Sequence, residues 1–142
     1  MTNTEMAMAI ARRIFDGFNC GDVASFADCL HVEITANFPF APPAMPKELQ
    51  GKDAVLAAMT QGRSMMESMM LTMERTYWIP ADETLAVEAS GASLLVGGIP
   101  YNNRYIFLIG FRDGQVILWR EYFDSLIMQD ALDRQTPAAA GV

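Results

Sequence analysis

One carboxylate near the C-terminal end of the chain lies in a sequence context that points to chemistry. Glu121 stands in the segment W-R-E-Y-F-D, residues 119–124, within a run rich in apolar and aromatic residues. Burial among such residues disfavours the charged form of a carboxyl group and raises its pKa unless the group is paired or hydrated. A raised pKa suits a general acid/base that works near neutral pH. Glu121 is therefore the candidate catalytic residue.

A β-hairpin is predicted to position Glu121. The pair Asp113-Gly114 separates two runs rich in β-branched and aromatic residues, and both residues of such a turn must accept positive φ. A two-residue turn pairs Arg112 with Gln115 and places Ile106 opposite Glu121 on a shared face. That face then consists of Arg104, Ile106, Leu108, Gly110, Ile117, Trp119, Glu121 and Phe123. A register shift of one residue would move every side chain to the other face.

Residues near Glu121 are predicted to bind a ligand. Trp119, Phe123 and Arg104 share its face, while Tyr101 and Asn102 at the strand entrance offer hydrogen bonds. Desolvation would raise the pKa of Glu121, whereas a nearby Arg104 would lower it. A structural ion pair between Glu121 and Arg104 is the alternative to a catalytic role.

Both faces of this hairpin are apolar, which is unusual for a sheet in a monomer. One face can pack on helices and line a pocket. The other face needs a cover, and the chain has no further residues with which to build one. We therefore expect a homodimer that forms through the outer face of the sheet.

The length, composition and net charge of the chain exclude several classes of protein. The chain has 142 residues, 51% of them hydrophobic, which fits one domain (residues 1–142) with an ordered core over about residues 3–132 and a loose tail at 136–142. A net charge of −7 with scattered basic residues argues against a nucleic-acid partner. No run is long enough for a membrane span, and the N-terminus lacks a basic signal-peptide start, so we expect a cytoplasmic location. Cys20, Cys29 and the lone His31 cannot complete a zinc ligand set, and no metal is expected.

The order of elements predicts an α+β fold. Apolar residues at helical spacing indicate a first helix that ends near Phe18, a short second helix follows Asp22, and a third opens after Gly51 with Met59 facing inward. Strands are predicted at residues 31–40, 71–79 and 85–96 and in the hairpin, with a helical turn at 126–132. Three N-terminal helices packed on one curved, mostly antiparallel sheet form a cone with a pocket between the layers.

This order and three motifs resemble the nuclear transport factor 2-like (cystatin-like) superfamily, in its SnoaL-like or ketosteroid-isomerase-like branch. The motifs are G-K-D-A-V at residues 51–55, D-G-Q-V at residues 113–116 and W-R-E-Y-F-D at residues 119–124. The resemblance covers residues 5–132, and it implies the fold more strongly than a reaction, because this fold supports many functions.

Two kinds of relative look nearest, and both place a catalytic acid at Glu121. In limonene-epoxide-hydrolase-like proteins the partner Arg-x-Asp pair falls at residues 88–90, which read Glu-Ala-Ser here, so that mechanism is disfavoured. In phenazine-biosynthesis A/B-type proteins the catalytic His and Ser fall at Ala58 and Gly62. The steroid-isomerase base falls at Phe38, which we therefore expect, with Met59, to line the pocket. Whether Glu88 and Ser90 face the pocket depends on a bulge at Gly91 and stays open.

The resemblance and the residues together predict a small-molecule-binding protein. Our first hypothesis is an isomerase, cyclase or dehydratase that needs no metal or organic cofactor and uses Glu121 as acid/base on an apolar cyclic metabolite. The alternative is a non-catalytic ligand-binding or dimerisation module with a degenerate active site.

Overall fold

The computed structural model describes residues 1–140, with side chains described through residue 135. Three α-helices are present in this part of the chain: α1 (Asn3–Cys20), α2 (Lys52–Ser64) and α3 (Ser125–Ala140), with 3-10 helices at Val23–Cys29 and Pro80–Asp82. The strands are β1 (Leu30–Asn37), β2 (Glu48–Gln50), β3 (Met66–Ser68), β4 (Leu71–Ile79), β5 (Thr84–Gly91), β6 (Ser93–Leu95), β7 (Ile99–Tyr101), β8 (Arg104–Arg112) and β9 (Gln115–Phe123). No helix in the described residues has the length and apolar character needed to cross a bilayer.

The strands form a large sheet and a small one. The large sheet has the order β2-β1-β9-β8-β5-β4, in which only the β1–β9 pair is parallel, and the small sheet has the order β3-β6-β7. Helix α1, the first 3-10 helix and α2 cover one face of the large sheet and bury the main core against it. The predicted α+β architecture, with helices first and a mostly antiparallel sheet after them, is confirmed.

Helix α1 shows how local sequence sets these boundaries. The Thr2 hydroxyl accepts a hydrogen bond from the Glu5 amide (3.1 Å), and the Glu5 carboxylate accepts one from the Thr2 amide (2.8 Å), which satisfies amides that the first turn leaves unpaired. Gly21 ends the helix with a φ of 77°, a conformation that costs glycine little. The helix buries a stripe of small and aromatic side chains on the sheet: Ala7, Ala11, Ile14, Phe15 and Phe18.

The strand predicted at residues 85–96 is two strands in two sheets. Strand β5 ends at Gly91, and after Ala92 the chain enters β6, which pairs with β7 across the turn at Gly97 and Gly98. Within β5, Glu88 pairs with Ile106, and both residues lie on the outer face of the large sheet. Ser90 follows at the next outward position, so the question left open by the sequence is settled: neither side chain faces the core.

The pairing of β8 with β9 differs from the predicted register. Arg112 pairs with Gln115 across the Asp113-Gly114 turn, as predicted, but a bulge next to the turn leaves Ile117 without a partner. Beyond the bulge every pair is shifted by one residue, so Phe107, rather than Ile106, lies opposite Glu121. The predicted face that combined Arg104, Ile106, Leu108 and Gly110 with Glu121 is therefore wrong.

The C-terminal segment is more helical than predicted. Helix α3 begins directly after Asp124, whose carboxylate accepts hydrogen bonds from the Leu126 amide (2.9 Å) and the Ile127 amide (3.4 Å). The helix continues to Ala140, well past the predicted helical turn. The predicted loose tail at residues 136–142 is thus helical over 136–140, while residues 141 and 142 lie outside the described residues.

Substitution of Gly110 is expected to destabilise the protein because of the bulge. A Cβ atom at Gly110 would lie 3.0 Å from the Leu118 Cβ, and that atom cannot move without the backbone. We expect Gly110→Ala to lower the free energy of unfolding by about 1–3 kcal/mol. The matched control is Gly62→Ala in α2, where an added Cβ meets nothing within 4 Å; it should raise stability by about 0.5–1 kcal/mol. Urea denaturation of both variants checks this, and an unaltered midpoint for Gly110→Ala would contradict the role of the bulge.

Candidate active site

The register shift gives Glu121 a different set of neighbours from the predicted one. Glu121 lies on the inner, helix-facing side of β9, together with Trp119 and Phe123, which are 1% and 4% exposed. The indole Nε1 of Trp119 donates a hydrogen bond to Glu121 Oε1 (3.1 Å). The carboxyl group therefore points into the protein beside the aromatic core.

Aromatic rings surround this position. The ring of Phe107, across from Glu121, lies 5.0 Å from Trp119 and 5.2 Å from Phe15 between centroids, and Phe18 of α1 lies 6.3 Å from Trp119. Such packing removes water and lowers the local dielectric, which disfavours an isolated charge.

The environment raises the pKa of Glu121. Part of the residue remains accessible to solvent, but protein atoms surround the carboxyl group, and burial raises its pKa to about 7. The hydrogen bond from Trp119 acts in the opposite direction and is the weaker influence. Near neutral pH the carboxyl group therefore exists in both protonation states, as a general acid/base requires.

Two tyrosine hydroxyls lie close enough to Glu121 for its negative charge to raise their pKa values. Tyr101 of β7 and Tyr105 of β8 are 3% and 7% exposed and are hydrogen-bonded to each other. Burial raises the pKa of Tyr101 to about 12 and raises that of Tyr105 well above its usual range. Both hydroxyls are consequently protonated at neutral pH and act as hydrogen-bond donors.

Asn103 fixes one end of this network. Its amide nitrogen donates to the Tyr101 hydroxyl (2.8 Å) and to the Asp124 carbonyl (3.0 Å), and its oxygen accepts from the amides of Arg104 (2.7 Å) and Asp124 (3.0 Å). Asn103 is 1% exposed, so each of its polar atoms is buried and paired. Asn102, which the sequence offered as a ligand donor, is exposed instead.

Arg104 does not belong to this site. Its side chain lies on the outer face of the sheet, where the guanidinium forms an exposed ion pair with Glu74 (3.1 Å). The predicted ion pair of Arg104 with Glu121 is wrong, because the bulge at Ile117 places β8 residues of even number on the opposite face from Glu121. The ligand role of Arg104 stays a prediction. The same shift brings Tyr105, which the sequence placed on the other face, to the carboxyl group.

The remaining predicted ligand residues lie in or beside the main core. Met59 of α2 is 6% exposed within that core, and Phe38, just past β1, packs against it half-buried. Two surface grooves are present: one of about 350 Å³, lined by Glu88, Arg104 and Ile106 of the outer face together with Tyr105 and Phe123, and one of about 400 Å³ between α2 and the first 3-10 helix. Neither groove contains Glu121, so the pocket between the layers and the ligand roles of Phe38, Met59, Trp119 and Phe123 stay predictions.

Glu121→Gln is expected to remove a pH-dependent loss of stability. The folded protein keeps Glu121 protonated up to about pH 7, whereas the unfolded chain releases this proton near pH 4.5. The unfolded state binds fewer protons between these values, so the free energy of unfolding falls as the pH rises, by up to about 3 kcal/mol from this group, and then levels off.

Urea denaturation between pH 4.5 and 8 checks this effect. The stability of Glu121→Gln relative to wild type should increase through that interval. Glu88→Gln is the matched control, since Glu88 lies on the outer face and accepts a hydrogen bond from the Tyr77 hydroxyl (3.0 Å). Parallel pH profiles of stability for wild type and Glu121→Gln would show that burial does not raise the pKa of Glu121.

Comparisons with known proteins agree on one family. A family model described as a SnoaL-like domain matches residues 11–119. A PhzA/B-like protein of Pseudomonas aeruginosa is 28% identical over 123 residues, which are 84% of each chain. A presumed isomerase from Bacillus subtilis superposes with a TM-score of 0.87 at 24% identity, covering 94% of this chain and 96% of that one. The BvnE pinacolase of Penicillium brevicompactum superposes with a TM-score of 0.81 at 15% identity, covering 97% and 99%. At these identities the solved structures show a shared fold, and the match of the family model over most of the chain shows that this protein belongs to the SnoaL-like domain family.

Proposed function

We propose that this protein is a cofactor-independent isomerase, cyclase or dehydratase that acts on an apolar cyclic metabolite, with Glu121 as the acid/base. The observation that carries the proposal is a carboxyl group with a pKa of about 7, set among aromatic rings and next to two protonated tyrosines. The names of an isomerase and a pinacolase among its structural neighbours agree with chemistry of this class.

The arrangement supports proton transfer at a carbon next to a carbonyl group. The ionised Glu121 takes the proton, the electrons of the broken C–H bond form a C=C bond, and the carbonyl oxygen gains negative charge. Where the substrate carries a further C=C bond next to that carbon, the protonated Glu121 returns the proton at the far carbon of this bond, the double bond moves into conjugation and the C=O bond re-forms, which completes an isomerisation. Aromatic walls exclude water and strengthen each electrostatic interaction in this step.

The tyrosines supply a donor for the developing oxyanion. Tyr101 accepts hydrogen bonds from Asn103 and from the Tyr105 hydroxyl, because the contact between the two tyrosines lowers the pKa of Tyr101 and raises that of Tyr105. The Tyr101 proton is then left for the substrate oxygen. A chain of this kind polarises each hydroxyl in turn and makes the last donor stronger.

The structure disfavours one of the two alternative functions, epoxide hydrolysis, and gives some support to the other, a non-catalytic binding module. Glu88 and Ser90, at the positions of the epoxide-hydrolase Arg-x-Asp pair, lie on the outer face, which disfavours hydrolysis of that type further. A non-catalytic binding module is favoured by one observation. Gly62, at the position of a phenazine-protein relay residue, is exposed on α2 and takes no part in the site.

The catalytic role is tested by proton exchange. We expect the wild-type protein to incorporate deuterium from solvent at the carbon next to the carbonyl of cyclic ketones, as measured by mass spectrometry over a panel of ring sizes. Glu121→Gln should lower the rate by about 10²–10⁴-fold, the usual contribution of a general acid/base. Tyr105→Phe should lower it less, and Glu88→Gln should leave it unchanged. Exchange at the wild-type rate in Glu121→Gln would rule out this role and leave the binding-module alternative.

We also propose that the protein forms a homodimer through the outer face of the large sheet. Ile106, Tyr77 and Phe40 are 46%, 50% and 55% exposed there, and Phe40 packs edge-on against Tyr122 (5.3 Å between centroids). Of the charged groups beside them, Arg104 is paired with Glu74, and Glu88 accepts a hydrogen bond from the Tyr77 hydroxyl. A second copy would cover this apolar surface.

Light scattering on the purified protein tests the dimer. We expect twice the 15.7 kDa mass of the chain, and we expect Ile106→Lys to give the monomer, because it introduces a charge at the centre of the covered face. Val96→Lys is the matched control, since Val96 is similarly exposed (51%) but lies at the turn of the small sheet. A monomeric wild-type protein at micromolar concentration would contradict the proposal.

A further inference from the structure

The small sheet carries a buried hydroxyl that its surroundings do not satisfy. Ser93 of β6 is 3% exposed, and its Oγ has no hydrogen-bond partner among the described residues. An unpaired buried hydroxyl costs free energy, so such groups are rare in folded proteins and call for an explanation. Ser93 is the first residue of β6, and its hydroxyl forms no turn or capping hydrogen bond within the described part of the chain.

Ser93 lies in the same compartment as one of the site tyrosines. It pairs directly with Tyr101 across β6 and β7, and cross-strand partners project to the same face of a sheet. Helix α3 covers this face: Ala131, Ile127 and Met128 pack on a cluster that contains Leu95 and Tyr101. The hydroxyl is therefore enclosed between the small sheet and α3.

This compartment adjoins the Glu121 site. Tyr101 belongs to both, because its ring is part of the cluster under α3 while its hydroxyl is hydrogen-bonded to Tyr105 beside Glu121. Met128 likewise packs against the main core and against the cluster under α3. Tyr101 is therefore the residue that links Glu121 to Ser93.

We infer that Ser93 is a specificity-determining residue, which hydrogen-bonds an oxygen-bearing substituent at the end of the ligand distal to Glu121. The ligand class is an apolar ring system with two oxygen substituents, a hydroxyl or carbonyl at each end. The inference rests on the proposed function for the location of the reacting end. It adds a contact at the far end of the ligand. Compounds with an oxygen substituent there pair with the Ser93 hydroxyl, and compounds without one leave it unpaired.

Two fluorescent ring compounds test the inference. The first is 2-naphthol, with one hydroxyl, and the second is 2,6-dihydroxynaphthalene, with a hydroxyl at each end. In wild type we expect the second compound to bind more tightly. Ser93→Ala should reduce this preference by about 2- to 10-fold, the share of one hydrogen bond, while the Kd of 2-naphthol changes little. The matched control is Ser68→Ala, an exposed serine of the same small sheet, which should leave the preference unchanged.

Thermal denaturation separates a ligand role from a packing imperfection. A folded Ser93→Ala with an equal or higher Tm is expected in either case, since the variant removes an unpaired hydroxyl. An unchanged preference for 2,6-dihydroxynaphthalene in that folded variant would overturn the inference, as would the failure of both compounds to bind wild type.

The failure of this inference is distinguishable from that of the proposed function. Naphthol binding requires no proton transfer, whereas the catalytic role of Glu121 is tested by deuterium exchange, which does require it. If Ser93→Ala loses the preference while Glu121→Gln still exchanges deuterium, the protein has the binding site but Glu121 is not catalytic. If Ser93→Ala keeps the preference while Glu121→Gln loses deuterium exchange, Glu121 is catalytic and Ser93 does not contact the ligand.

Discussion

A single unpaired residue, Ile117, determines what surrounds the buried carboxyl group. The bulge shifts the pairing of β8 with β9 by one position, which turns Phe107 and Tyr105 inward and Ile106 and Arg104 outward. Without the shift, a guanidinium would lie beside Glu121 and hold its pKa low. With it, the nearest groups are aromatic rings and neutral hydroxyls, and the pKa rises. Gly110 makes the shift possible, because the Leu118 Cβ lies only 3.0 Å from where a Cβ of residue 110 would be.

The interior balances two opposed physical effects at Glu121. Removal from water disfavours the carboxylate, while the indole N–H of Trp119 favours it by donating a hydrogen bond. Neither effect cancels the other, and the result is a group that gains or loses its proton near neutral pH. Such a residue lowers the stability of the fold, which is common where a side chain is kept for function.

The amino-acid sequence was sufficient for the architecture but not for the site. Turn residues such as Asp113 and Gly114 and the apolar periodicities are local signals, and the elements that they predict are present. The bulge has no such signal, since Ile117 is an ordinary strand residue and its displacement depends on the contact between Gly110 and Leu118. Tyr105 and Asn103 were missed for this reason, and Arg104 was wrongly placed beside Glu121. The extent of α3 was also missed, because its packing on the small sheet involves residues distant in sequence.

The position of β9 within the large sheet has a consequence for folding. Its neighbours are β8, which precedes it by a two-residue turn, and β1, which joins it in parallel more than eighty positions earlier in the chain, as the pair Ala36 and Trp119 shows. Closure of so long a loop is entropically costly and slow compared with hairpin formation. The strand that carries Glu121 is therefore enclosed on both sides only when the chain from β1 through β9 is available. During synthesis the hairpin and its aromatic face emerge after α1, β1 and α2, so the carboxyl group is removed from water only after these elements have been made.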